Sequence, residues 1–167
     1  MSHKRNSLEQ VHEFMSLGKQ TINENPTLVD NKLANFRVSL IQEEAKELFE
    51  ALAEGNIVEV LDALCDLQYV LDGAFQTFGM AEIKEEAMDA VHASNMSKFC
   101  KSEEEALATK QFYAKQNVAT YYKLMGSRVG VTTVLYWVVY RESDNKILKS
   151  INYQPVTEKL KKILKVQ

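Results

Sequence analysis

The stretch from Asn56 to Phe78 constrains this chain most. Val58, Val60, Leu61, Ala63, Leu64, Cys65, Leu67, Tyr69, Val70 and Leu71 make it apolar nearly all round when wound as a helix, yet Glu59, Asp62 and Asp66 fall on one stripe at i, i+3 and i+7. A helix apolar on every side belongs in an interior. Carboxylates in an interior are costly unless something compensates them. From Asn56 to Phe75 the chain contains no Lys or Arg, so any compensating cation has to come from elsewhere.

A second acidic cluster, Glu43-Glu44-Ala45-Lys46-Glu47, lies on the other side of a Gly55-Asn56 break. On a helix Glu44 and Glu47 share a face at i,i+3, and Glu43 and Glu47 at i,i+4. Taken alone this is an ordinary solvated face, because glutamate forms helix well and like-charge repulsion at i,i+4 costs only roughly 0.2–0.5 kcal/mol. Helices joined by a two-residue break run antiparallel, which can set Glu44 and Glu47 opposite Glu59 and Asp62. A buried ion-pair network is one solution to that crowding, and a divalent cation is another. The donors are all hard oxygens with no Cys and no His at helical spacing, which points to Mg²⁺ or Mn²⁺ rather than zinc. Mg²⁺ keeps positions for water and substrate phosphate, so the chemistry expected is hydrolysis of a phosphoric anhydride. Di-iron carboxylate bundles use similar parts, and Glu9-x-x-His12 and Asp89-x-x-His92 approach their Glu-x-x-His spacing. Neither acidic cluster contains a histidine, so His12 and His92 are better read as surface or packing residues.

The rest of the chain frames these clusters. Ser7-Leu8-Glu9-Gln10 reads as a capping box opening a helix with Leu8, Val11, Met15 and Ile22 on one side, ended by Asn25-Pro26. Asp30 caps a second helix carrying Leu33, Phe36, Leu40, Ile41, Leu48 and Leu52; Gly55 closes it and Asn56 caps the third, which Gly79 ends. A fourth helix is expected from about Ala81 to about Lys98, and a fifth from Ser102 to about Gln116. The β-branched and aromatic runs 118–124 and 134–140 predict an antiparallel hairpin with Gly126 and Gly130 between its strands. A turn at 143–146 and a Lys-rich helix over 156–166 follow.

The fold expected is therefore mainly all-α. Four core helices fill residues 1–100, and residues 101–167 add a helix, a β-hairpin and a substrate-side tail as a small C-terminal α+β appendage of the same structural unit. A net charge of −3 gives no support to a nucleic-acid polymer as partner. The run Val129–Tyr140 is too short to span a bilayer. Cys65 reads as a small core residue, and two cysteines without metal spacing suit a reducing, cytoplasmic compartment.

These motifs resemble a family. Glu43-Glu44-x-x-Glu47 followed by Glu59-x-x-Asp62 is similar to the E-E-x-x-E and E-x-x-D signature of the all-α, MazG-like nucleoside triphosphate pyrophosphohydrolases. Asp62-Ala63-Leu64-Cys65-Asp66-Leu67-Gln68-Tyr69, His92-Ala93-Ser94-Asn95-Met96-Ser97-Lys98 and Asn145 to Pro155 extend the likeness toward the phosphoribosyl-ATP pyrophosphohydrolase-like branch. Asn145 stands where that branch often has glycine, and the segment from about Cys100 to Glu142 is an insertion relative to shorter members.

The resemblance implies a four-helix bundle in which Glu44, Glu47, Glu59 and Asp62 hold Mg²⁺ (or Mn²⁺). Glu43 then supports those ligands or acts as base for the attacking water, and Asp66 reaches the substrate's sugar or base. It also implies conversion of a nucleoside triphosphate to its monophosphate and pyrophosphate, and assembly as a dimer or tetramer. Lys98, Lys146 and Lys149 are natural partners for phosphate oxygens, Asn95 for a base edge or phosphate, and Tyr153 or Trp137 for stacking on a base. A phosphoribosyl-ATP pyrophosphohydrolase and a non-catalytic helical interaction module are the alternatives.

Overall fold

The computed structural model describes residues 6–166. They divide into two compact units, one ending at Lys84 and the other beginning at Glu85.

Three helices build the first unit: α1 (Ser7–Leu17), α2 (Asn31–Glu54) and α3 (Ile57–Thr77). Asn6, not Ser7, is the first cap. Its side chain accepts from the Glu9 backbone while Glu9 Oε2 accepts from the Asn6 N–H, a reciprocal box set one residue earlier than the sequence suggested. α1 also stops well before Pro26, so Ile22 lies outside it. Lys19 takes the left-handed conformation at φ 52°, and the Gln20 N–H closes on Met15 O at 2.9 Å. A lysine in that role gives no sequence signal of the kind a glycine gives.

The junction between α2 and α3 matches its sequence. Asp30 caps α2 by accepting from Leu33 N, Gly55 ends it at φ 68°, and Asn56 accepts from Val58 N and Glu59 N to start α3. The two helices run antiparallel, since Arg37 near the start of α2 bonds Thr77 at the end of α3, while Glu44 shares a cavity with Asp66 further along.

α3 differs from its expected burial. Only Ala63, Asp72, Gly73, Gln76 and Thr77 of this helix are buried. Ile57 is 76% and Leu61 64% exposed, and Val58, Leu64 and Cys65 are exposed as well. α1 and α2 cover one side of α3 only, so Cys65 lies on the uncovered side and is not a core residue.

The second unit holds α4 (Lys84–Met96, beginning at the boundary), α5 (Glu103–Ala114), β1 (Thr120–Val129), β2 (Thr132–Arg141) and α6 (Thr157–Leu164). The hairpin is longer than the sequence suggested. β1 and β2 pair from Thr120↔Arg141 to Val129↔Thr132, leaving a two-residue turn at Gly130-Val131 with Gly130 at φ 60°. Gly126 therefore sits inside β1, opposite Leu135. Cys100 exchanges backbone bonds with Trp137, which pins the chain before α5 to the edge of β2. Cys100, Ala106 and Val139 form the core here, with Tyr122 and Trp137 packed against it. The molecule is thus a helical protein carrying one small antiparallel hairpin and a short C-terminal helix.

Candidate functional site

The acidic residues converge on α2 and α3. Glu44 is half-buried, and its Oε2 is fully enclosed with no hydrogen-bond partner. Burial pushes its carboxyl above the usual range, and the charges of Glu47, Asp66, Glu43 and Asp62 add to that rise. Both acidic clusters therefore act on one carboxylate. Glu43, Glu47, Asp62 and Asp66 are exposed, and Glu59 lies exposed in the first turn of α3 beside the Asn56 cap. Among the described residues no three His, Cys, Asp or Glu side chains are gathered as a cage for a metal ion. Carboxylates repelling one another are not expected to gather without a cation between them. The donor set nonetheless fits Mg²⁺: every acid is a hard oxygen ligand, and one buried acceptor has nothing else to bind.

A cavity of about 270 Å³ opens beside these acids, lined by Val11, Phe14 and Met15 of α1, by Phe36, Arg37, Leu40 and Glu44 of α2, and by Asp66, Tyr69, Val70 and Gly73 of α3, with Gln20. Phe14 meets Tyr69 edge-on at 5.8 Å. Burial, then the charge of Glu13, raises the Tyr69 hydroxyl pKa. Arg37 is buried, donating from Nε to Thr77 Oγ1 at 2.7 Å and from Nη2 to Gln20 Oε1 at 2.9 Å. None of Arg37, Gln20 or Thr77 was among the sequence candidates. The one signal was a cation seated between Phe36 and Leu40 on the inward side of α2.

The other expected binding residues belong to the second unit, where several do come together. Lys98 Nζ donates to Asn95 Oδ1 at 2.7 Å. Ser94, one residue before, donates to Gln154 O at 2.8 Å and lies 3.2 Å from the Tyr153 hydroxyl, while Gln154 N donates to Ser97 Oγ at 2.9 Å. Lys149 Nζ stands 4.4 Å from the centre of the Tyr153 ring. The segments 94–98 and 149–154 are thus one hydrogen-bonded neighbourhood. Lys146 sits apart in the turn that Asp144 organises. Hydrogen bonds from the Arg141 side chain and the Lys146 backbone hold the Asp144 carboxyl down at about 2. Trp137 packs on Tyr122 beside the core. His12 faces Gln76 at 3.3 Å, and His92 is exposed on α4.

Among known proteins, 79 residues are 34% identical to part of an uncharacterized protein of Acanthamoeba polyphaga mimivirus, covering 47% of this chain and 30% of that one. The match thus spans less than a third of that relative's length. The protein-family model for phosphoribosyl-ATP pyrophosphohydrolase matches residues 11–95, from the middle of α1 to Asn95, about half of the chain and all of both acidic clusters. The chain belongs to the phosphoribosyl-ATP pyrophosphohydrolase family, within the MazG-like superfamily.

Proposed function

We propose that this protein is a Mg²⁺-dependent nucleotide pyrophosphohydrolase that cleaves the α–β phosphoanhydride of a nucleoside triphosphate, giving the monophosphate and pyrophosphate. Family membership supports the coarser statement, a pyrophosphohydrolase acting on an acid anhydride. The observation that carries the finer one is the partnerless buried oxygen of Glu44 amid the charges of Glu47, Asp66, Glu43 and Asp62. In this reading Glu44, Glu47, Glu59 and Asp62 hold Mg²⁺, with Mn²⁺ able to replace it. The ion, when bound, offsets phosphate charge and acidifies water in its shell. Glu43, exposed beside Glu44, takes the proton of the attacking water. Lys98, Lys146 and Lys149 supply donors for phosphate oxygens, Asn95 both donor and acceptor, and Tyr153 a ring face. Phosphoribosyl-ATP is the second substrate reading, favoured by the family's own description.

Assembly and location complete the proposal. Exposed Phe49, Leu52, Ile57, Val58, Leu61 and Leu64 flank the α2–α3 junction and support a homodimer or tetramer. No helix among the described residues is long and apolar enough to cross a membrane, and the cytoplasm is the compartment proposed. The test is pyrophosphate release from a panel of nucleoside triphosphates and phosphoribosyl-ATP with Mg²⁺. Turnover that is lost in Glu47→Gln and Asp62→Asn supports the reading. Absence of turnover on every substrate, with no change in thermal melting on adding Mg²⁺, overturns it.

A further inference from the structure

The cavity among α1, α2 and α3 is lined by a buried cation, Arg37, whose direct contacts among the described residues are all neutral, the Phe36 ring at 5.6 Å among them. Arg37 is 4% exposed. Its hydrogen-bond acceptors, Thr77 Oγ1 and Gln20 Oε1, are neutral, and Met15 Sδ at 3.7 Å adds only a weak third. Among the described residues no carboxylate pairs with this guanidinium, and its Nη1 donates to none of them. A guanidinium stays charged even when desolvated, so a buried one needs a complement. Gly73 is what leaves Nη1 room, since a Cβ there would stand 3.2 Å from that nitrogen.

The surroundings indicate which complement fits. Phe14, Phe36 and Tyr69 line the cavity with ring surface suited to a planar heterocycle. At about 270 Å³ it falls below the roughly 300–1,000 Å³ of whole-ligand pockets, so it takes one ring system rather than a complete nucleotide. Glu44 and Asp66 line the same cavity, which makes a second anion such as phosphate a poor companion there. A neutral ring bearing an acceptor satisfies the fixed donors without adding charge.

We propose that this cavity receives the nucleobase of the substrate and that Arg37 selects a base with a carbonyl oxygen at purine position 6 or pyrimidine position 4 over the amino-bearing counterpart. The inference rests on the nucleotide pyrophosphohydrolase reading of the neighbouring acids, and it disfavours an adenine substrate. An amino group at that position would set donor against donor, leaving buried groups unpaired. Arg37 acts here on specificity, not on the reacting bond.

Nucleosides test this without phosphate or metal. The full chain is titrated calorimetrically with inosine against adenosine and with uridine against cytidine, in buffer free of divalent cations. The carbonyl member of each pair is expected to bind about tenfold more tightly. Arg37→Met removes that preference. Should Arg37→Met fail to fold, as judged by circular dichroism, Gly73→Ala displaces Nη1 and narrows the preference several-fold. Equal binding within both pairs overturns the inference, and so does displacement of inosine by inorganic phosphate in the wild type but not in Arg37→Met. Glu47→Gln separates the two readings, because it loses turnover and keeps the base preference. Turnover of triphosphates without any base preference sinks this inference alone, and preference without turnover sinks the hydrolase reading alone.

Discussion

Glu44 occupies a position where an ionised carboxylate is unfavourable, enclosed at Oε2 and surrounded by four other acids. Replacing it with Gln keeps its shape and removes the charge. In metal-free buffer Glu44→Gln is therefore expected to melt higher than the wild type by about 2–4 °C, and to lose the rise in melting temperature that Mg²⁺ gives the wild type. Scanning fluorimetry with and without MgCl₂ reads both effects. Asp72 is the opposite case. It is fully buried, and burial alone would raise its pKa, but the hydrogen bond and charge of Lys84, 2.5 Å from Oδ1, with further help from the Ser7 and Gln68 side chains, bring it below the ordinary value. A depressed carboxylate contributes stability that is present at neutral pH and lost as pH falls below about 3.9, the unfolded value, and through the lower folded one. Lys84→Met is expected to cost about 3–5 kcal/mol at pH 7, because it leaves a buried charge without its counter-ion. In that variant burial dominates, the Asp72 pKa rises, and the loss narrows as pH is lowered. Urea unfolding between pH 7 and pH 4 shows this. The acids on the stripe were legible from spacing, whereas Asp72 and Arg37 were not. Asp72 lies off the stripe with its partner twelve residues away, and a lone Arg on an apolar face ordinarily reaches out to water.

At the level of elements, the short polar signals were the readable ones. Asp30, Asn56 and Ser102 cap the helices they precede, and Gly55 and Gly79 adopt the left-handed conformation expected after α2 and α3. The two glycines are not equivalent. A Cβ on Gly55 would meet nothing within 4 Å, whereas one on Gly79 would stand 1.9 Å from Asn25 O. That approach belongs to a docked loop, where Asn23 N and Thr27 N donate to Gln76 O and Phe78 O. Gly55→Ala is expected to cost about 1 kcal/mol for the backbone alone, and Gly79→Ala about 3 kcal/mol or more, as the difference in chemical denaturation midpoints will show. The hairpin was legible in kind but not in length. Gly126 looked like a loop residue, yet it lies in β1 where a Cβ would press on Thr133 and Leu135 at 3.3 and 3.4 Å.

For the whole molecule, hydrophobic patterning identified the helix that needs covering but not what covers it. The apolar load of α3 is visible in the sequence, while a pattern of side chains is the same whether the covering surface comes from one chain or from another copy. Within one chain Ile57, Val58, Leu61 and Leu64 stay exposed. The expected outcome is a dimer or tetramer by light scattering at micromolar concentration, which Leu61→Lys shifts to a lower mass without unfolding α3. A monomeric wild type would show that this face has another use.

Only Gly55 and Asn56 separate α2 from α3, so gains and losses of residues act very differently along this stretch. One residue inserted between Glu44 and Gly55 turns Glu44 by about 100° around its helix relative to the rest of the hairpin. Asp62 and Asp66 then face a different side chain, and the acid cluster disperses without any acid being mutated. A residue added at the junction itself only lengthens a loop, at a cost of a few tenths of a kcal/mol. Added length is therefore tolerated at one point of this stretch, while the residue count on either side of it is fixed by the geometry of the acids.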